Sequence, residues 1–240
     1  MLNPHPGLPE FEYIKPTSLL EASTFLVQHA GEARPFSGGT DCFVRMRDGV
    51  MEQKYMVDIK GLDGMNEITF DPTHGLTVGA AVNMNRVAAH PEVVERYSLL
   101  AEAAGSVASY QLRTRATIIG NICNASPAGD TIGASMVLDA KLRVFNAEGE
   151  RLVPLSGFFH GPGKTSLKPG DIVTAVIYPI PPKDFKGRFI KLGRNKLGDL
   201  SIVAITVFGY PDTGSKSGFR FRIVLSSVAP TPLEVTAAAA

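Results

Sequence analysis

Two short stretches of this sequence combine small and polar residues at a spacing that suits ligand binding. The longer one, Arg115–Asp130, holds two amides, two hydroxyls and one carboxylate among small residues, so it offers many backbone N–H groups and little bulk. A β-branched run opens this stretch, and we expect a turn at Gly120 and a helix from Asp130 onward. The shorter stretch, Pro35–Asp41, contains two adjacent glycines. Together the stretches predict a site that wraps a polar ligand.

The glycine pair Gly38-Gly39 follows a predicted strand and precedes a predicted helix. Glycines let backbone N–H groups approach an anion, and a helix N-terminus adds partial positive charge. The stretch is neither the three-glycine dinucleotide fingerprint nor a P-loop, because no Gly-Lys-Ser/Thr follows it. A plain strand–turn–helix connection has the same pattern, so taken alone this pair leaves both interpretations open.

The polar side chains of the longer stretch also allow two interpretations each. Asp130 either accepts hydrogen bonds from a sugar hydroxyl or caps the following helix. Asn121 and Asn124 either bind ligand or bond the backbone of their own loop. The two cysteines, Cys42 and Cys123, cannot hold an iron–sulfur cluster alone and lack zinc-site spacing, which leaves a redox role or that of small apolar side chains.

No residue set in the sequence suits proton transfer, covalent catalysis or metal binding. The histidines lie in turns, loops or at the ends of elements, and none is paired with a serine, cysteine or acid in a nucleophile pattern: His5, His29, His74, His90 and His160. We therefore predict no catalytic residue and no metal ligand in this chain. Ligand-binding loops without catalytic side chains indicate a bound cofactor that carries the chemistry.

The composition is that of an ordinary globular protein. Of 240 residues, 44% are hydrophobic and 20% are charged, and the net charge of +1 gives no indication of nucleic-acid binding. The N-terminus has no signal-peptide pattern and no apolar run is long enough to span a bilayer, so we expect a cytoplasmic location.

The sequence pattern of residues 1–61 predicts a small α/β subdomain with βαβ-like order. Apolar spacing and cap residues favour these elements: a strand at Phe11–Ile14, a helix at Leu19–Ala30 capped by Thr17 or Ser18 and closed by Gly31, a strand at Ala33–Phe36, a short helix at Asp41–Arg47 and a strand at Tyr55–Ile59.

The sequence pattern of residues 62–179 predicts a second α/β subdomain. The pattern favours these elements: a hairpin over 68–80, a short helix at Val87–His90 ended by Pro91, helices at Leu99–Ala108 and Thr131–Asp139, strands at Lys141–Phe145, Arg151–Pro154 and Asp171–Tyr178, and a loop at Gly161–Gly170.

Pro179–Pro182 is the best linker candidate, so we assign residues 180–240 to a third domain. Three strands of an antiparallel sheet are predicted at Arg188–Lys191, Ile202–Phe208 and Phe219–Ser226. Ala237–Ala240 resembles an interrupted helix, and we expect this domain to be cut short there. The predicted class is α+β.

The two ligand-binding stretches resemble a known family. Ser37-Gly38-Gly39-Thr40-Asp41 and Ala116–Pro127 are similar to the two FAD motifs of the medium, flavin-binding subunit of molybdenum hydroxylases, the xanthine dehydrogenase and carbon monoxide dehydrogenase type. Lys191–Arg194 and Val228–Leu233 resemble segments of its C-terminal domain. The similar segments occur in the same order and at matching spacing over nearly the whole chain.

The resemblance implies two α/β subdomains that clamp noncovalent FAD, followed by a C-terminal antiparallel three-stranded sheet with helices. The cofactor-binding positions it implies are Pro35, Phe36, Ser37, Gly38, Gly39, Thr40, Asp41 and Cys42 at the pyrophosphate; Ala116, Thr117, Ile119, Gly120, Asn121, Cys123, Asn124, Gly129 and Asp130 at the ribityl, diphosphate and ribose, with Val107 and Ala108 beside them; and Ile172, Val173 and Lys191 near the ring.

Lys191 would lie at the pyrimidine edge of the flavin, where a cation favours negative charge on the reduced ring. The alternative is an ordinary solvated strand lysine. Ile119 departs from the family, since it replaces one glycine of a Gly-Gly pair and would loosen backbone approach. Neither cysteine supports the extra iron–sulfur insertion of one branch, so we expect none.

The resemblance implies an electron-transfer subunit. A large subunit with the molybdenum cofactor would oxidise the substrate, a small subunit would relay electrons through iron–sulfur clusters, and FAD in this chain would pass them to an external acceptor. One alternative is a stand-alone flavin-dependent oxidoreductase of the same cofactor fold, although no histidine is placed for a covalent flavin link. Another is a scaffold subunit without cofactor, against which the glycine loop and Asp130 argue.

Overall fold

The computed structural model describes residues 7–195 and 198–236. Helices and strands are mixed, with one parallel sheet first and antiparallel sheets after it, which confirms the α+β class. The predicted interrupted helix at 237–240 lies outside the described residues.

The first lobe, residues 7–61, is built on a three-stranded parallel sheet in the order β1-β3-β2. The Ser18 hydroxyl caps its first helix by accepting a hydrogen bond from the Glu21 N–H at 3.1 Å, and Ala22 and Leu26 bury that helix against the core. The carboxyl end of β2 leads directly into the glycine pair. The elements are β1 (Glu12–Ile14), α1 (Leu19–Gln28), β2 (Ala33–Phe36), α2 (Thr40–Arg47) and β3 (Tyr55–Asp58).

The second lobe, residues 62–179, has a five-stranded antiparallel sheet in the order β4-β5-β10-β6-β7. Its central strand, β10, is buried along almost its whole length. The elements are β4 (Ile68–Asp71), β5 (Gly75–Gly79), α3 (Met84–Ala89), α4 (Pro91–Arg96), α5 (Ser98–Ser106), α6 (Tyr110–Arg113), α7 (Ile118–Asn124), α8 (Asp130–Val137), β6 (Lys141–Asn146), β7 (Gly149–Pro154), β8 (Phe159–Gly161), β9 (Lys164–Thr165) and β10 (Ile172–Tyr178).

The predicted turn at Gly120 is wrong, because Gly120 lies inside helix α7. Thr117 has extended backbone, and its hydroxyl accepts a hydrogen bond from the Gly120 N–H at 2.9 Å, which caps the helix. Ile118 and Ile122 then fall on one buried helical face. The cap and this apolar spacing outweigh the β preference of the branched residues.

The C-terminal sheet runs in the order β11-β12-β13-β14 and is antiparallel throughout. The three predicted strands are present, and a short fourth strand joins them. Within the described residues the helices on its inner face are α5 and α8 of the second lobe: the Phe189 N–H donates to Glu102 Oε2 at 3.1 Å, and Arg222 Nη1 donates to Val137 O at 3.1 Å. The strands are β11 (Lys186–Leu192), β12 (Val203–Pro211), β13 (Phe219–Ser226) and β14 (Leu233–Glu234).

One hydrophobic core runs through all three parts of the chain. It includes Leu26 from the first lobe, Leu76 and Val176 from the second, and Phe208 and Val224 from the C-terminal sheet. Because this core is continuous, the parts are held in a fixed arrangement and the space between them has defined walls. In the described part of the chain, no helix has both the length and the apolarity needed to cross a membrane.

Candidate functional site

A cavity of about 640 Å³ lies where the two lobes and the C-terminal sheet meet. Most of its lining residues come from four parts of the chain: the β2–α2 segment of the first lobe, the segment from Val107 to Asp130, the loop around Lys168, and the loop between β11 and β12. The volume is within the usual range for a bound small molecule, about 300–1,000 Å³.

Nearly all of the positions predicted from the sequence line this cavity. From the first lobe they are Pro35, Phe36, Ser37, Gly38, Gly39, Thr40, Asp41 and Cys42; from the second they are Val107, Ala108, Ala116, Thr117, Ile119, Gly120, Asn121, Cys123, Asn124, Gly129, Asp130 and Val173. Whether each contacts a cofactor stays a prediction.

Two predicted positions do not line the cavity. Side chains alternate along β10, so Val173 faces the cavity while Ile172 is fully buried in the core. Lys191 lies behind Asp130, to which it is bonded. Whether Ile172 and Lys191 lie near a bound cofactor therefore stays a prediction.

The glycine pair is required by packing between the lobes as well as by its own turn. A Cβ at position 38 would lie 2.2 Å from the carbonyl oxygen of Arg115, so only glycine allows the first lobe to approach the second this closely. Gly39 has a φ of +77°, which favours glycine, and a Cβ there would lie 2.5 Å from the Phe36 ring. The glycine loop thus lies directly against the Arg115–Asp130 stretch.

Three side-chain hydrogen bonds reinforce this contact between the lobes. Asn124 Nδ2 donates to Asp41 Oδ2 at 3.1 Å, Arg45 Nη1 donates to Asn124 Oδ1 at 3.3 Å, and the Ser37 hydroxyl donates to Ala80 O at 3.2 Å. Asn124 therefore joins α2 to α7, so it bonds across the lobes rather than within its own loop.

Asn121 joins the two helices of the longer stretch. Its Oδ1 accepts hydrogen bonds from the Thr131 N–H at 3.2 Å and the Thr131 hydroxyl at 2.7 Å. A Cβ at Gly129 would lie 2.6 Å from Ile132 Cδ1 and 3.2 Å from this same oxygen, so glycine is needed for the helices to pack. The Asn121 side chain therefore bonds the backbone of its own loop, as the second interpretation from the sequence had it, and this bond stabilises the cavity wall.

Asp130 does not cap the following helix, and its contact with a ligand hydroxyl stays a prediction. It is the first residue of α8, whose N-cap is Gly129, and its Oδ2 accepts a hydrogen bond from Lys191 Nζ at 2.7 Å. Burial raises the pKa of the Asp130 carboxyl, and the hydrogen bond and charge of Lys191 lower it in part. Lys191 is mostly buried, so it is not a solvated strand lysine either.

Both cysteines line the cavity as thiols. Burial raises the pKa of Cys42, and burial raises the pKa of Cys123 to about 12, so both remain protonated near neutral pH. The two side chains are therefore suited to packing rather than to nucleophilic chemistry.

Three cations on the cavity wall were not identified from the sequence: Arg34, Arg45 and Lys168. Arg34 lies on β2 just before the glycine pair. This position in the sequence could have indicated that Arg34 is a cation of the site. The Lys168 loop is held from both sides, because the Lys168 N–H donates to Asp171 Oδ2 at 2.8 Å and the Ser23 hydroxyl donates to Gly170 O at 2.8 Å.

The wall therefore suits a ligand with phosphates at one part and hydrogen-bond donors at another. Helix α2 begins at the glycine pair without a side-chain cap, so N–H groups of its first turn are open to an anion near the cations. Asp130 Oδ1 is buried on the same wall and has no hydrogen-bond partner among the described residues. A two-lobed dinucleotide-binding protein is the class that this geometry defines.

The comparisons with known proteins agree with this class. A family model described as the FAD binding domain in molybdopterin dehydrogenase matches residues 9–181. The xanthine dehydrogenase FAD-binding subunit of Escherichia coli O157:H7 is 30% identical over 222 residues, which cover 92% of this chain and 75% of that protein. The carbon monoxide dehydrogenase medium chain of Hydrogenophaga pseudoflava is 30% identical over 225 residues, covering 94% and 77% respectively.

A solved structure of carbon monoxide dehydrogenase from Hydrogenophaga pseudoflava superposes with a TM-score of 0.90 at 30% identity, covering 96% of this chain and 79% of that chain. The chain belongs to the family of FAD-binding domains of molybdopterin dehydrogenases. The family named from the two sequence motifs is thereby confirmed.

Proposed function

We propose that this chain is the FAD-binding, electron-transfer subunit of a multi-subunit molybdenum hydroxylase. It would receive electrons from an iron–sulfur small subunit, served in turn by a large subunit with the molybdenum cofactor, and pass them to an external acceptor. The family and the names of the relatives as dehydrogenase subunits support an oxidoreductase of this type. Transfer of the electrons to an external acceptor and a cytoplasmic location stay predictions.

The observation that carries the proposal is a single cavity made by both lobes. The glycine loop from the first lobe and the Arg115–Asp130 stretch from the second share this cavity, and their backbones touch at Gly38 and Arg115. A ligand held there must contact both lobes, as an extended dinucleotide would.

The residues present fit FAD. The open N-terminus of α2, with Arg34 and Arg45 nearby, suits the diphosphate, and the free oxygen of Asp130 suits a hydroxyl or N–H donor. When bound, FAD supplies reversible electron transfer, while the chain binds and orients it and limits its contact with water. The cavity wall formed by the described residues contains no histidine, which favours a noncovalent cofactor.

We also propose the division into residues 1–61, 62–179 and 180–240. Each of the main sheets is confined to one of these parts, and the family match extends to residue 181, inside the proline-rich linker. The first two parts would hold FAD, and the third would add the loop between β11 and β12 to the cavity wall.

Co-purification of the tagged chain with its native partners tests the proposal. We expect a larger and a smaller polypeptide, molybdenum and iron in the complex, and FAD released by denaturation in equal amount to this chain. A complex without flavin absorbance contradicts the proposal. Reduction of the isolated, FAD-loaded chain by an organic substrate favours the stand-alone oxidoreductase instead.

A further inference from the structure

A strained turn between α5 and α6 forms part of the cavity wall. Val107 and Ala108 both line the cavity, and Ala108 has a φ of +42°, in the left-handed region. A residue with a Cβ adopts this region only at a cost in free energy. The segment from Val107 to Arg113 contains no glycine, proline or asparagine that would favour such a turn. The conformation of Ala108 therefore depends on contacts with the rest of the fold.

Arg113, the last residue of α6, makes those contacts and does not itself line the cavity. Its Nη1 donates to Val107 O at 2.9 Å and to Ala108 O at 3.3 Å. These two carbonyls belong to the peptide units on either side of the Ala108 Cα. Because the planes of these two units define φ and ψ of Ala108, one guanidinium group holds the strained conformation.

Asn85 on α3 orients the guanidinium group. Arg113 Nε donates to Asn85 Oδ1 at 3.0 Å, and Asn85 Nδ2 donates to the backbone oxygen of Tyr110, the first residue of α6, at 3.0 Å. In the described part of the chain, every side-chain hydrogen bond of Arg113 goes to Asn85 or to the strained turn. The planar fork of an arginine suits this task, since its donors point in fixed directions.

We propose that Arg113 is a positioning residue of the cofactor site: it holds the peptide units around Ala108 in the strained turn against which bound FAD packs. This inference rests on the proposed function and deepens it. Arg113 acts through the backbone of Val107 and Ala108, without contacting the dinucleotide. Since the turn is already formed in the apo chain, FAD does not have to order it on binding, and the affinity is higher for that reason.

The test is a double-mutant cycle in the affinity of the apo chain for FAD, measured by flavin fluorescence, with folding of each variant checked by circular dichroism. We expect Arg113→Met to bind FAD at least fivefold more weakly. Ala108→Gly should restore most of this loss in the Arg113→Met background, because glycine adopts a positive φ without strain, and its effect should be smaller in the wild-type background.

Arg86→Met is the matched control. It removes an arginine of α3 that donates to the backbone oxygen of Asn66 at 3.0 Å, outside the cavity, and it should bind FAD as wild type does.

Two further measurements separate positioning from other roles of Arg113. The loss of affinity in Arg113→Met should be the same at low and high ionic strength, because salt would screen an attraction between the arginine and the diphosphate. Urea denaturation gives the free energy of unfolding of the same variants. An arginine that only stabilised the fold would change this free energy and leave the FAD affinity of the folded chain unaltered.

The proposal is overturned if Arg113→Met binds FAD as tightly as wild type, if its loss disappears at high salt, or if Ala108→Gly gives no greater gain in this background than in wild type. If Arg113→Met does not fold, Asn85→Leu replaces it. This variant removes the bond that orients Arg113 and should give a loss of at least twofold that Ala108→Gly again reverses, so wild-type affinity in Asn85→Leu would also overturn the proposal. A wild-type chain that binds no FAD overturns the proposed function itself, and this inference with it.

Discussion

The backbone at Gly38 packs against the carbonyl of Arg115 so closely that a Cβ at position 38 would lie 2.2 Å from that oxygen. This contact joins the glycine loop of the first lobe to the start of the long polar stretch of the second. The same residues that would bind the cofactor thus also set the distance between the lobes.

We predict that Gly38→Ala separates the lobes locally and weakens FAD binding by at least tenfold, equivalent to about 1.4 kcal/mol. The methyl group cannot be accommodated, because the atom it meets belongs to the backbone. Equilibrium titration of the apo chain with FAD measures the effect. Gly61→Ala is the control, since a Cβ there meets nothing within 4 Å. Equal affinity of both variants would contradict this account of the loop.

Asn124→Ala should loosen the contact between the lobes. The substitution removes one hydrogen bond to Asp41 and one from Arg45, and we expect a loss of about 1–2 kcal/mol in the free energy of unfolding. Urea denaturation of the apo chain measures it. Asn66→Ala, which removes a single bond to Lys60 O away from the cavity, should cost less. A larger loss for Asn66→Ala would show that Asn124 does not join the lobes.

Arg34→Met should weaken FAD binding by about tenfold and reduce its dependence on salt. In the described part of the chain the side-chain hydrogen bond of Arg34 is to Met51 Sδ at 3.8 Å, so its charge is available to the diphosphate. FAD titrations at low and high ionic strength measure both effects. Arg47→Met removes an exposed arginine outside the cavity and should leave the salt dependence unchanged. An unchanged salt dependence in Arg34→Met excludes this role.

The Asp171–Arg151 pair should make stability depend on acid pH. Burial raises the pKa of Asp171, but hydrogen bonds from Arg151, the Lys168 N–H and Asn146 outweigh burial and hold the pKa below its usual value. A lowered folded-state pKa stabilises the fold above the unfolded-state value of about 3.9, and this stabilisation disappears as the pH falls through the folded-state pKa.

Asp171→Asn should therefore be less stable than wild type at pH 7, and the difference should shrink as the pH falls from about 5 towards 3. Urea midpoints measured across this range test it, with the exposed Asp63→Asn as control. Parallel pH profiles for wild type and Asp171→Asn would show that this pair does not supply the acid dependence.

Much of the fold could be predicted from local patterns in the sequence. The β10 strand follows from its apolar run, and helix α1 follows from its spacing and the Ser18 cap. Gly120 was misplaced, because the cap at Thr117 and the buried face of α7 decide that segment. The local preference of its branched residues pointed to a strand instead.

The candidate site could be predicted where its residues are close in sequence, and not where they meet only in the fold. The glycine pair and the Arg115–Asp130 stretch are local patterns, so their cavity-lining positions were found. The Asp130–Lys191 pair joins residues 61 positions apart, and the Arg45–Asn124 pair joins residues 79 positions apart. No periodicity or motif encodes such contacts.

Calorimetric titration of the apo chain with FAD tests the central claim, that both lobes hold one flavin dinucleotide, most directly. We predict one FAD per chain, with affinity reduced separately by Gly38→Val in the first lobe and by Asp130→Asn in the second. Absence of FAD binding, or binding that either substitution leaves unchanged, would contradict the claim.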